Sequence, residues 1–188
     1  MSSKRIIVLV GPSGSGKTTI GEELTKKGIP KLITTTTRSP RSGEEDGVDY
    51  YFREAGDFNI DDFIEQTLYN HKVYGLTKKE VTEALSKSDC VHVSLDKNGA
   101  KAVKEAYPEE ALIVYIYVPL DEMRKRMKAR GDSDQKIQER LQFSKDTDEL
   151  DPVEGADIIL ENRSVSETVA RILEEVSSYD IKPQKKEV

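Results

Sequence analysis

An apolar run, Ile6 to Val10, leads straight into Gly11-Pro12-Ser13-Gly14-Ser15-Gly16-Lys17-Thr18, after which Ile20 and Leu24 recur four apart. No other stretch constrains the chain as strongly. A continuous apolar run closed by glycine reads as a strand buried on both faces, the usual state in a parallel sheet. Apolar side chains four apart mark one face of a helix, and Gly28 followed by Pro30 is a plausible stop. The residues between match GxxxxGKS/T, in the strand-to-helix setting that the pattern requires. Glycines let the backbone curl until successive N–H groups converge on phosphate oxygens, and the helix N-terminus adds the positive end of its dipole. Gly11, Pro12, Ser13, Gly14, Ser15, Gly16, Lys17, Thr18 and Thr19 are therefore the candidate ATP-binding segment. Lys17 would reach the β- and γ-phosphates, and the Thr18 hydroxyl would ligate magnesium. The bland alternative is a glycine-rich turn; the complete motif with its correct flanks argues against it.

The rest of the chain alternates strands with helices. Leu32 to Thr37 is rich in β-branched residues and breaks at Ser39-Pro40, and residues 38 to 49 are loop-like. Tyr50 to Phe52 and Thr67 to Tyr74 are expected as short antiparallel strands flanking a helix from Asp61 to Gln66, an insertion into the parallel scaffold. Thr77 with Glu80 three residues later is a capping-box signature for a helix to about Lys87. Val91 to Leu95 is the next buried strand, followed by a helix from about Asn98 to Tyr107. Ala111 to Val118 is the strongest strand of all. Asp121 is expected to cap a basic helix that Gly131 interrupts, and Ser133 or Asp134 starts another reaching about Asp148. A last short strand covers Asp157 to Leu160, and Ser164 with Glu167 opens a final amphipathic helix to about Val176. The polar tail 180–188 is expected to be disordered. The pattern implies an α/β fold, a doubly wound parallel sheet of the P-loop NTPase type, with a small α+β insertion and a helical lid.

Composition narrows the functions. With 188 residues and a net charge of −6, the chain lacks the broad basic surface that general nucleic-acid binding needs. Positive charge is local: Arg124, Lys125, Arg126, Lys128 and Arg130 lie within seven residues. The apolar runs are far shorter than the ~18 residues of a membrane span, and nothing resembles a signal peptide. A single cysteine, Cys90, excludes an internal disulfide, and these features together suit a cytoplasmic protein. His71 and His92 are too isolated for a zinc site, and the acidic turn Glu44, Glu45, Asp46, Asp49 lacks calcium-loop spacing.

A phosphate loop does not name its reaction, since GTPases, ATPases and small kinases share it. The acceptor site does more. Thr36-Thr37-Arg38-Ser39-Pro40-Arg41-Ser42-Gly43-Glu44 and Gly47-Val48-Asp49-Tyr50 resemble the TTRxPRxGE and GxDY segments of the guanylate kinase family. The resemblance continues in order through Phe63-Ile64-Glu65, Tyr74-Gly75, Asp96 with Gly99, the arginine-rich helix and Glu161-Asn162-Arg163. It implies one domain over 1–188, with an acceptor-binding region over about 34–76 and a lid over about 124–141. It implies ATP-dependent transfer to GMP or dGMP with Mg2+, in a monomer or homodimer with neither nucleic acid nor membrane as partner. By the same resemblance Arg38 and Arg41 grip the acceptor phosphate, with Tyr50 and Tyr74 donating hydroxyls to it. Glu65 reads guanine, since a carboxylate accepts from both N1–H and the 2-amino group and adenine offers neither. Thr34 donates to the guanine O6, and Asp96 orients the base. Arg126, Arg130 and Arg140 correspond to the catalytic arginines of the lid, and Asn162 to an adenine contact.

Two positions depart from the family. The residue after Tyr74-Gly75, ordinarily a base-assisting Ser or Thr, is Leu76, and the usual Asp-x-Asp reads Ser94-Leu95-Asp96. Both departures touch the acceptor side. They leave open a related P-loop kinase with another acceptor, such as a different nucleoside monophosphate or a ribose phosphate. A non-catalytic interaction module of guanylate kinase type ranks below both, because such modules tend to lose the loop lysine and lid arginines that this chain keeps.

Overall fold

The computed structural model describes residues 4–57, 59–69 and 71–179, with the backbone alone at Tyr69. In chain order the elements are β1 (Arg5–Val10), α1 (Lys17–Lys26), β2 (Thr35–Thr36), β3 (Tyr51–Phe52), β4 (Phe63–Tyr69), β5 (Lys72–Thr77) and α2 (Lys78–Lys87). There follow β6 (Cys90–Ser94), α3 (Lys97–Ala106), β7 (Ala111–Tyr117), α4 (Leu120–Ala129), α5 (Asp134–Asp146), β8 (Ile158–Glu161) and α6 (Val165–Tyr179). The expected disordered tail lies outside the described residues.

β1 is buried along its whole length, inside a parallel sheet of order β6-β1-β7-β8. Successive strand side chains point to opposite faces. Ile6, Val8 and Val10 join Val81 and Leu85 of α2 and Ala100 and Val103 of α3 on one side. Ile7 and Leu9 join Ile20 and Leu24 of α1 and Val169 and Ile172 of α6 on the other. Helices therefore cover both faces, the doubly wound arrangement that the sequence indicates. A third cluster, Val118, Met123, Met127, Ile137 and Leu141, gives α4 and α5 a small core of their own.

A second sheet, of order β3-β2-β5-β4, spans Thr35 to Thr77. Here the sequence reading needs correction. No helix covers Asp61 to Gln66: one 3-10 turn, Ile60–Asp62, is capped by Asn59 and gives way to β4, which pairs antiparallel with β5. Six residues make at most a marginal helix, whereas β5 offers a complete hydrogen-bond ladder. β3 pairs with β2 in parallel and not antiparallel, and the expected strand Leu32 to Thr37 shrinks to Thr35–Thr36 plus a bridge from Lys31 to His92. Asp121 does not cap α4. The cap position belongs to Pro119, and Asp121 sits in the first turn, where the helix dipole favours it.

Thr77 does cap α2, its hydroxyl accepting from Glu80 N at 3.2 Å. The Glu80 carboxylate reaches outward to Ile33 N at 2.8 Å and the Tyr51 hydroxyl at 3.0 Å, clamping the inserted sheet to the scaffold. Leu76, next to that cap, is fully enclosed and belongs to the cluster with Val81 and Leu85. Its side chain does the work of core packing, not that of the base-assisting hydroxyl found there in the family.

Leu76→Ser should therefore destabilise the fold by ~2 to 4 kcal/mol, from the cavity and the added polar group. In a thermal melt this corresponds to a midpoint lower by roughly 5 to 15 °C. An unchanged midpoint would remove Leu76 from the core.

Candidate active site

The site begins where β1 ends. Gly11 has φ 155°, and a Cβ there would lie 2.0 Å from the Ile116 carbonyl oxygen of β7, so only glycine fits. The loop then turns and enters α1 at Gly16, whose φ of 96° is left-handed and whose Cβ would lie 2.3 Å from Asn162 Nδ2. Asn162, at the end of β8, is 1% exposed. Its Nδ2 donates to the Ser15 carbonyl at 2.8 Å, and its Oδ1 accepts from Thr168 at 3.1 Å. The amide expected to meet adenine is thus engaged in holding the loop to α6. Arg126 reinforces the same corner, donating to the Asn162 carbonyl at 2.7 Å and to Glu122 at 3.0 Å.

Lys17 folds back over the loop, its ammonium donating to the Gly11 and Pro12 carbonyls. Burial pulls that ammonium down to about 8, against the opposing influence of Glu149. Three cavities meet around this side chain. One of about 700 Å3 opens toward Ser94, Asp96, Arg140 and Glu149. A second, of about 480 Å3, lies on the other flank beside Gly16, Thr18, Thr19, Arg126 and Arg130. A third, of about 410 Å3, runs toward Thr34 and Tyr50.

In the inserted sheet Arg38 is fixed by a two-pronged ion pair with Glu44, both contacts at 2.8 Å. The Arg38 hydrogen bond, and after it the Arg41 backbone N–H, hold Glu44 down at about 2. The Arg38 guanidinium lies 5.5 Å from the Tyr50 ring centre, and Tyr50 meets Tyr74 edge-on at 6.0 Å. Arg41 is exposed beside them. The structure therefore brings together both arginines and both tyrosines of the expected phosphate grip.

Glu65 stands on β4, opposite Leu76, and not at a helix end. A Cβ on Gly99 would lie 3.1 Å from Glu65 Oε2, so glycine at that position gives the carboxylate its room. Burial first, and the nearby Asp96 second, raise Glu65 to about 7, while the Leu76 N–H and the Thr67 hydroxyl oppose the shift. Asp96 caps α3 through Gly99 N at 2.7 Å and accepts from the Thr67 hydroxyl at 2.9 Å. Thr34 lines the third cavity with Tyr50. At the α4–α5 junction and in α5, Arg130 and Arg140 converge on Asp132 at 2.7 and 3.5 Å.

Sequence reasoning missed Thr67, Asp132 and Glu149, and it left Glu44 without a task. Glu44 was findable, since it lies three residues from Arg41 within the quoted segment. Asp132 was findable too, two residues from Arg130, whereas the fold alone brings Thr67 to Asp96 and Glu149 to the neighbourhood of Lys17.

The chain is similar to known proteins over most of its length. The guanylate kinase family model matches residues 3–179. A guanylate kinase from Prochlorococcus marinus is 35% identical over 182 residues, covering 93% of this chain and 98% of that protein. One from Fusobacterium nucleatum is 38% identical over 150 residues, covering 77% and 81%. The crystal structure of guanylate kinase from Anaplasma phagocytophilum superposes with a TM-score of 0.73 at 24% identity, covering 97% of this chain and 89% of that one.

A raised carboxyl has a stability signature. The Glu65 proton is held more tightly in the folded chain than in the unfolded one, from the ordinary 4.5 up to about 7. Its contribution is fully present below about 4.5 and lost as pH rises through about 7. Glu65→Gln should accordingly gain stability relative to the parent between pH 5 and pH 8 in denaturant titrations. Parallel pH dependences for the two proteins would show that Glu65 is not desolvated.

Proposed function

Because the chain belongs to the guanylate kinase family, we propose that the cavities around Lys17 receive ATP and GMP and that the residues described above carry the transfer. The chain is an ATP-dependent nucleoside monophosphate kinase that makes GDP and ADP. The observation that carries the assignment of its residues is that Ser13 and Lys17 line two cavities at once, one on each flank of the phosphate loop. A group held at Lys17 is accessible from both.

In this reading the triphosphate occupies the loop, with Gly16, Thr18, Arg126 and Arg130 on its flank. Arg38, Arg41, Tyr50 and Tyr74 hold the acceptor phosphate. A nucleotide phosphate has its second pKa near ~6, so the acceptor is already a dianion at neutral pH and needs no general base. One of its oxygens attacks the γ-phosphorus, and the bond from that phosphorus to the β-bridging oxygen breaks to release ADP. The obstacle is charge: two unit charges 4 Å apart repel by ~4 kcal/mol at an effective dielectric of 20. Lys17, Arg130 and Arg140 supply the compensation, together with the arginine pair of the insertion. Lys17 exchanges the Gly11 and Pro12 carbonyls for phosphate oxygens, whose negative charge keeps its ammonium protonated.

The donors present fit magnesium brought in with the nucleotide. Thr18 is exposed on the first turn of α1, and Ser94 and Asp96 face the cavity beside Lys17. Among the described residues no group of three or more His, Cys, Asp or Glu forms a cage for a metal. That suits an ion that keeps several waters and takes most of its remaining ligands from phosphate. When bound, it neutralises charge on the transferring phosphoryl group. Glu65 supplies selectivity, accepting from guanine N1–H and the 2-amino group once ionised. No helix among the described residues is long and apolar enough to cross a membrane.

An ADP-release assay across GMP, dGMP, AMP, CMP, UMP and ribose phosphates tests the acceptor. GMP should be the best nucleotide, with AMP at least ~100-fold lower in kcat/KM because it leaves the Glu65 carboxylate unpaired. A clear preference for a non-guanine acceptor would overturn the role given to Glu65.

A further inference from the structure

Arg130 and Arg140 stand on different helices and face different cavities. Arg130, just past α4, borders the cavity of about 480 Å3 with Gly16 and Thr18. Arg140, inside α5, borders the cavity of about 700 Å3 with Ser94 and Asp96. One oxygen joins them. Asp132 Oδ2 lies 2.7 Å from Arg130 Nη2 and 3.5 Å from Arg140 Nη1. The Asp132 side chain is 18% exposed, whereas the two arginines are 54% and 44% exposed. The carboxylate is thus the sheltered centre of the cluster, and the guanidinium groups remain open to ligands.

The backbone around it joins the two helices. Asp132 N donates to the Met127 carbonyl at 3.1 Å, which ties the residue to the last turn of α4. Ser133 caps α5 immediately afterwards. Gly131 between them has φ 92°, a left-handed turn that glycine adopts without strain. Met123 and Met127 of α4 pack with Ile137 and Leu141 of α5. Arginine pairing holds Asp132 ionised, with Arg130 the largest influence and Arg140 and Lys136 adding to it. A negative charge shared by two partly exposed cations makes the position of one depend on the other.

We infer that Asp132 is a positioning residue that ties Arg130 and Arg140 into one unit, so that nucleotide in one cavity presents the second arginine to the other. Coupling between donor and acceptor binding then runs through this carboxylate. The inference rests on the reading of the two arginines as phosphate ligands. A carboxylate that only stabilised the α4–α5 turn would affect folding and leave this coupling untouched.

Calorimetric titration of GMP onto the full chain, with and without saturating non-hydrolysable ATP analogue and magnesium, measures the coupling as a ratio of two Kd values. In the parent protein GMP should bind more tightly when the analogue is present. Asp132→Asn should shrink that ratio by about fivefold or more while GMP alone binds within about twofold of the parent. Asp132→Glu, which keeps the charge, should restore most of the ratio. An undiminished ratio in Asp132→Asn, or a loss of GMP affinity equal in both arms, would overturn the inference and leave the kinase assignment standing. A parent protein that binds no GMP in either arm would overturn both.

Discussion

The close approach of Gly11 to β7 fixes everything that follows it. With the Ile116 carbonyl oxygen 2.0 Å from where a Cβ would stand, the chain leaves β1 flush against its neighbour in the sheet. The phosphate loop is thereby held at the end of two adjacent parallel strands. Its far end is held by a different device, the buried Asn162 amide between the Ser15 carbonyl and Thr168. A loop pinned at both ends keeps its N–H donors convergent before any phosphate arrives, so little reorganisation remains for binding. The same two anchors connect the loop to β7, β8 and α6, which makes the core of the sheet part of the site.

A second principle governs the charges. Most of the cations assigned to phosphate rest on internal acceptors: Arg38 on Glu44, Arg130 and Arg140 on Asp132, Arg126 on Glu122, and Lys17 on two loop carbonyls. Ion pairs at exposed positions are worth only ~0 to 1 kcal/mol, so under the proposed function a phosphate dianion would displace Asp132 and Glu122 at small cost. The more sheltered Arg38–Glu44 pair is a different case, since its two parallel hydrogen bonds orient the guanidinium toward the acceptor site. This arrangement also explains how a chain of net charge −6 serves two anionic substrates. The cations proposed to serve them stand at the loop, in the second sheet's region and around α4 and α5.

Much of this was legible in the sequence for physical reasons. The unbroken apolar run of β1 and the glycine pattern after it specify strand, loop and helix together, because few other conformations accommodate both. Thr77 and Ser133 announced their helices through side chains that satisfy backbone N–H groups. The inserted sheet was harder. Phe63 to Tyr69 has weak alternation, and its strand exists because β5 lies beside it, a tertiary fact with no local trace. Glu65, a candidate from its motif, was placed on the wrong element for that reason. Leu76 looked like a lesion in the base site and is a core residue instead. Thr67 and Glu149 were invisible, since Asp96 and Lys17 lie on elements that only the fold brings near, whereas Asp132 stands two residues from Arg130 and was within reach of local reasoning.

The account stands on Lys17 as the cation at the meeting point of donor and acceptor. Steady-state ADP production by Lys17→Ala with ATP and GMP, alongside a thermal melt of the same preparation, examines that claim directly. The melt should stay close to that of the parent, because the lysine contributes hydrogen bonds to two loop carbonyls and belongs to none of the apolar core clusters. Turnover should fall by roughly 100-fold or more, the scale on which loss of a preorganised transition-state donor is felt. A folded variant that still makes GDP at the parental rate would show that phosphoryl transfer is not centred on this loop.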